Sequence, residues 1–348
     1  MLIASRAQVE APAVGGGYVE GWSTEDLACY VRERDPDGMV ILCRDHGGPW
    51  QHAWEADAGM GEAEAMASSL ESFRRDIAGG MQLLHIDVSR DSFGPADPGS
   101  ALRRLVLLYG ECHEYARALG RRVDFEIGFE EQSADLGDHD AFRQLAADAF
   151  GRLREASLPL PTFVVAQTGT KVVETGNRGV LLDDPVRAGG VIRHLASTCQ
   201  ELGSSLKAHN VDYLPDDVVR VLLSSGVNAV NVAPEFGVAE TRAFLHLLSG
   251  LNLRAERDAF LELAYASGAW RKWLSPESAS DDLDRCVMAG HYVFATGEFK
   301  EIKAAADRAC MRQGANVDGH LRHAIEAAIE RYIHSVSIVR EREMVGRR

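Results

Sequence analysis

The chain has six cysteines, Cys29, Cys43, Cys112, Cys199, Cys286 and Cys310, scattered singly with no C-x-x-C pair among them. That spacing argues against a disulfide framework and against a cysteine-type zinc site, and it suits free thiols in a reducing compartment. No apolar run approaches the roughly 18 residues of a membrane span. The start of the chain lacks the basic residues and apolar stretch of a signal peptide, so a cytoplasmic location is expected. Positive charge is also scarce, with 37 Lys and Arg against 52 Asp and Glu and a formal charge of −15. Such a chain has no electrostatic reason to seek nucleic acid or an anionic membrane, and a polyanionic substrate needs a local positive site or a metal. Low-complexity segments and internal linkers are absent too.

What is present is a large apolar fraction, 46% of 348 residues, enough for one big α/β domain with an ample core. One grammar repeats: a short apolar run, a polar or glycine-bearing tip, then an amphipathic stretch, which is the βα signature of a parallel sheet. Seven runs follow it: "LIASRAQV", "MVILC", "MQLLHIDV", "RVDFEIG", "TFVVAQ", "SLKAHN" and "VNAVNVA". Between them lie helical patterns such as "DAFRQLAADAFGRLREA", where Phe142, Leu145, Ala149, Phe150 and Leu153 recur at helical spacing. "VGGGYVEGWS" reads as a mobile loop ending in a Ser23/Thr24 helix cap. After about residue 240 the pattern is helical throughout.

Polar residues collect at the carboxyl ends of these runs, where parallel α/β folds build their sites. They are Asp45 and His46, His85 and Asp87, Glu126, Gln167, His209 and Asn210, and Asn231. A single polar tip is most simply a cap or a surface residue; recurrence on run after run points to a shared cavity. Neutral imidazole plus carboxylate suits zinc or another divalent transition metal, and His46, Glu126 and His209, on separate strands, can converge as three ligands with an open position. In an extended backbone Asp45 points differently from His46, which leaves it available as an acid/base toward substrate. His85 and Asp87 alternate and so share a face; His52 is ambiguous; the other histidines lie on or beside helical stretches.

The order of tip motifs resembles that of the class II, metal-dependent sugar-phosphate aldolases, and most of all the Z-type subunit family of D-tagatose-bisphosphate aldolase. The stretches that carry the resemblance are "SRAQVEAPAVGGGYVEGWSTEDL", "RDHGGPW", "LLHIDVSRD", "VDFEIGFEE", "VVAQTGTKVVETGNRG", "LKAHNVDYLPDD" and "VNAVNVAPEFGVAET". The resemblance implies a TIM-type (β/α)8 barrel over residues 1–250, with the site at the strand carboxyl ends, and a helical C-terminal region, 251–348, packed on it. The chain begins at what resembles the second strand of the family, so either "HSVSIV" near residue 334 supplies the eighth strand or the barrel is open at its first position.

By the same resemblance Asp45 is the acid/base, His46, Glu126 and His209 hold a divalent metal, zinc foremost, and Asp87 and Asn231 contact substrate. Glu130 and Glu131 stand on the loop where related enzymes keep a proton-transferring glutamate, and Glu131 is the expected one. Gln167, Asn210 and Lys171 complete the expected substrate-binding set. Two family features are missing: a further histidine ligand, where this chain reads "TGTKVVETGN", and the glycine-rich phosphate cradle, replaced by "NVDY". Glu126, Glu174 or a water then completes the metal shell, and Lys171, Arg44 and Lys207 are the candidate anion partners. The expected activity is an aldolase-type lyase acting on a sugar or sugar phosphate through a metal-stabilised enediolate, by aldol cleavage or epimerisation. The alternative is a non-catalytic stabilising subunit of a class II aldolase complex. The expected partners are accordingly further copies of the chain or a separate aldolase subunit.

Overall fold

The computed structural model describes residues 1–129 and 134–346. Every apolar run forms a strand: β1 Leu2–Ser5, β2 Leu42–Gly47, β3 Leu83–Asp87, β6 Asp124–Gly128, β7 Phe163–Val165, β10 Ser205–Ala208 and β11 Val227–Val230. These make one seven-stranded sheet in the order β1-β2-β3-β6-β7-β10-β11. The pairings from β1 through β10 are parallel. Two antiparallel hairpins are added in the loops after β3 and β7, namely β4 Arg90–Asp91 with β5 Gly94–Pro95, and β8 Lys171–Val173 with β9 Gly176–Arg178. Helices alternate with the sheet strands and then follow them, which is the TIM-type topology with C-terminal helices.

Strand β3 is buried at all five of its positions, as expected of a parallel strand covered on both faces. The helix Thr24–Arg34 begins where the cap was expected, with Ser23 and Asp26 forming a capping box. Of the two readings for the eighth strand, "HSVSIV" does not supply it, since it lies inside the helix Val317–Gly346. Its buried positions show why, since Tyr332, Ser335 and Val339 recur at i, i+3 and i+7 and so fall on one helical face. No helix among the described residues is long and apolar enough to cross a membrane.

The chain divides into two compact units, one carrying β1 to β7 and β10, the other β8, β9, β11 and the C-terminal helices. In the second unit Phe244, Phe260 and Phe299 centre a core that also takes in Leu248, Val317 and Leu321. The long final helix is latched to this core by Arg331, which donates to Asp216 at 2.8 Å and to Glu235 at 2.7 Å.

The first unit buries whole arginines. The Arg44 side chain, on β2, is 1% exposed and clamps Asp76 through two hydrogen bonds of 2.7 and 2.6 Å, while also donating to the carbonyls of Ala4 and Val9. It is therefore a structural tie between β2 and the helix Glu62–Gly79 rather than an anion partner. Arg44→Met leaves Asp76 charged and unpaired in the interior, and the expected loss is about 3–5 kcal/mol of unfolding free energy. A urea titration checks this; a loss well under about 1 kcal/mol would show that the pair is solvated in practice.

Candidate functional site

The stretch "RDHGGPW" leaves β2 by an irregular path. Register against β3 shifts between Arg44 and Gly47, and His46 takes a left-handed φ of 44°. Consequently Asp45 and His46 do not point apart as neighbours in an extended strand would. Both reach the same group of side chains, with Asp45 Oδ2 3.9 Å from His46 Nε2. The next residues must be glycine. A Cβ on Gly48, whose φ is 155°, would lie 2.0 Å from the Asp87 carbonyl oxygen, and one on Gly47 would lie 2.4 Å from the Phe73 ring. Arg6 holds the turn from behind, donating to the Gly48 carbonyl at 3.2 Å and to Glu55 at 2.6 Å. Glu55 also accepts the Trp50 N–H.

On β3 and β6, His85 is the register partner of Glu126 and Asp87 that of Gly128, so the sheet itself sets their spacing. His85 Nδ1 lies 3.7 Å from Asp45 Oδ1 and 3.5 Å from Glu126 Oε1, and it accepts the His46 backbone N–H at 3.3 Å. The other Glu126 oxygen, Oε2, accepts from Lys207 Nζ at 2.5 Å, with both side chains 1% exposed. Lys207, on β10, reaches across β7 to make that bond. Asp45, His85 and Glu126 each offer an atom within 4.8 Å of the others', and His46 and His85 do the same. The two groups share His85, and imidazole beside carboxylate is the donor chemistry that suits a divalent transition metal.

His46 Nδ1 is 2.5 Å from Asp87 Oδ2, and Asp87 Oδ1 accepts the Ser89 N–H at 3.0 Å. This is the carboxylate–histidine arrangement that orients a ligating ring and leaves its Nε2 to face a metal. Burial works against a charged His46 ring, but the Asp45 charge and the Asp87 hydrogen bond outweigh it and push the pKa up to about 9. Burial likewise favours a neutral Asp87, yet the hydrogen bond and charge of His46 hold it far below the usual carboxylate range.

Of the residues expected from the sequence, the first unit gathers Asp45, His46, Asp87 and Glu126, and Gln167 follows β7 by two residues. Asp87 gives one oxygen to His46 and the other to Ser89. Glu131, with Glu130, lies outside the described residues. In the second unit His209 comes directly after Ala208, the last residue of β10, and its Nε2 meets the Asn231 side-chain amide at 3.1 Å. The Asn210 carbonyl accepts from Asn177 at 2.7 Å, and Lys171 is exposed on β8. Glu174 lies in the second unit, its Oε1 buried without a hydrogen-bond partner. His52 is structural: Nδ1 caps the Trp54 N–H and Nε2 meets the Gly16 carbonyl.

His85 and Lys207 were not read as members of the metal cluster. Their one sequence signal was place, in "HID" and "KAHN" at strand ends. Because of the high His46 pKa, its ring in the metal-free protein should titrate near pH 9 rather than about 6.5, the ordinary value. The stability that its protonation adds is fully present below about pH 6.5 and is lost as pH rises through about 9. An NMR titration checks this, and Asp87→Asn should bring the ring back toward the ordinary value; a wild-type ring titrating at or below that value would show that the carboxylates do not govern it.

No protein-family model matches the chain, and no curated protein does. Among solved structures it is similar to one described as a probable tagatose 6 phosphate kinase from Sinorhizobium meliloti 1021, with 18% identity, a TM-score of 0.75, and 96% of this chain and 92% of that one covered. It is also similar to a fructuronate-tagaturonate epimerase from Cohnella laeviribosi, with 13% identity, a TM-score of 0.54, and coverage of 90% and 71% respectively. At such identities the likeness is one of fold: this chain shares the α/β architecture of those two proteins.

Proposed function

We propose that the protein is a metal-dependent enzyme of the aldolase and epimerase type, acting on a ketose, a uronate or a phosphate of either. The observation that carries this reading is the packing of Asp45, His46, His85 and Glu126 at the ends of β2, β3 and β6. A protein with no chemistry to do has little reason to crowd two acids and two imidazoles there, since such groups are costly to bury together. The likeness in fold to a sugar epimerase adds support by analogy.

In this reading His46, through Nε2, and Glu126 hold the metal, with His85 beside them and His209 as the further ligand expected from the sequence. A divalent cation bound there, zinc foremost, supplies a Lewis acid for the carbonyl of the sugar. Asp87 keeps the His46 ring in its orientation, and Lys207 keeps Glu126 Oε2 engaged so that Oε1 is the oxygen turned toward His85. Asp45 is partly exposed and stands beside the His46 and His85 rings, which suits it to move a proton to or from a substrate hydroxyl or α-carbon. Glu131 is the proposed second proton-transferring group. Aldol cleavage and epimerisation both pass through an enediolate of the sugar, so one arrangement serves either.

The metal content of protein purified without chelator tests the ligand set. About one divalent ion per chain is expected, lost in His46→Ala, His85→Ala and His209→Ala. Incubation with ketoses and ketouronates in deuterium oxide tests the chemistry. Deuterium should enter the carbon next to the carbonyl, and Asp45→Asn should slow that exchange by about 10²- to 10⁴-fold while leaving the melting temperature near wild type. Metal-loaded protein that neither exchanges nor cleaves any sugar it binds would leave the stabilising-subunit reading in its place.

A further inference from the structure

We propose that Lys272, Arg242 and the hydroxyl of Tyr213 form a binding site for a phosphate group on the second unit. The proposal is independent of the reaction proposed above, because none of these residues belongs to the first unit.

The tip of the β8–β9 hairpin ties the two cations to one place. Glu174, in a left-handed conformation at φ 57°, donates its N–H to the Trp273 carbonyl at 2.8 Å. The next residue, Thr175, accepts from Arg242 Nη2 at 3.2 Å. Lys272 precedes Trp273, and its ammonium stands over two rings, 5.0 Å from the centroid of Trp273 and 4.6 Å from that of Tyr292. The Trp273 indole N–H donates to the Tyr292 hydroxyl at 3.3 Å, which fixes the two rings against each other. The lysine is thus held in one orientation before any ligand arrives, and that lowers the ordering cost of binding.

Tyr213 belongs to the same face. Its N–H donates to Glu235, seven residues before Arg242 on the helix Pro234–Gly250, a spacing that places both on one side. Its hydroxyl is buried and has no hydrogen-bond partner; burial and the charges of Asp212 and Glu235 push its pKa up, and Arg242 pulls the other way. His291, its ring tilted 4.1 Å from that of Tyr292, carries a second buried atom without a partner, Nδ1.

Two neighbouring carboxylates are already committed: Asp212 accepts the N–H groups of Ala233 and Glu235, and Glu235 pairs with Arg331. Among the described residues neither Lys272 nor Arg242 pairs with a carboxylate. In a chain with a net charge of −15, two uncompensated cations beside a buried unpaired hydroxyl are matched by a dianion with several acceptor oxygens. The glycine-rich phosphate loop missing from the sequence is not needed for such a site.

Thermal melts of the full chain at constant ionic strength test the proposal, with inorganic phosphate, fructose 6-phosphate and fructose as probes. A saturable rise in melting temperature is expected with fructose 6-phosphate and not with fructose. A rise with inorganic phosphate as well identifies the free ion as a ligand, and a rise with the ester alone identifies the ester. In either case Lys272→Gln, Arg242→Gln and Tyr213→Phe should each weaken binding by about tenfold or more. Tyr213→Phe is the decisive variant, because deleting a buried unpaired hydroxyl costs the ligand-free fold nothing. No saturable rise with either phosphate, or a rise that survives both Tyr213→Phe and Lys272→Gln, would overturn the site.

Discussion

Glu126 and Lys207 are 81 positions apart in sequence and meet in the interior of the first unit, each 1% exposed. A carboxylate alone in such a place would be driven to its neutral form, and an ammonium likewise. Together they form a buried ion pair, and the remaining acids and imidazoles are arranged around it. Lys207 takes Oε2, His85 stands at Oε1 with Asp45 near the same ring nitrogen, and Asp87 steadies His46. The surplus of acid in this group is what makes a divalent cation the natural complement.

The path out of β2 depends on equally local constraints. Had β2 stayed regular, Asp45 and His46 would have faced opposite sides, and one of them would have been lost to the cluster. The register shift and the left-handed His46 bring both inward, at a conformational cost that the packed surroundings must offset. Gly48 then allows the chain to pass the Asp87 carbonyl, and Arg6, itself buried against Glu10 and Glu55, fixes the turn. Buried arginines thus do for this region what apolar packing does elsewhere, because a guanidinium can bind several carbonyls and carboxylates at once.

The second unit solves a different problem. Its aromatic core, built on Phe244, Phe260 and Phe299, is closed by a long helix whose Arg331 and Tyr332 converge on Glu235. Glu235 also receives the Tyr213 N–H, so one carboxylate joins the segment after β10, the helix Pro234–Gly250 and the final helix. With Glu235 engaged in this way, neither Lys272 nor Arg242 pairs with a carboxylate among the described residues.

The apolar runs and their polar tips were enough to name all seven sheet strands, the helical C-terminal region and the places of Asp45, His46, Asp87 and Glu126, because burial patterns and chain ends of strands are written locally. The helical state of "HSVSIV" was harder to read, since a short run of apolar and small residues fits either period until its neighbours on the helix face are counted. The roles of Arg44 and Lys207 were out of reach of the sequence. A basic residue near a strand end reads as a ligand for anions, and only the fold shows that Asp76 and Glu126 have already claimed these two. His85 illustrates the same limit: on a strand buried at every position, alternation does not say which face is the inner one. The sequence by itself determined the strands, their order along the chain and the kinds of atoms at their tips, all of which follow from local pattern. Only the tertiary structure decided which of those atoms meet, because register between strands, a bulge at His46 and ion pairs across many tens of residues are set by contacts that no local pattern encodes.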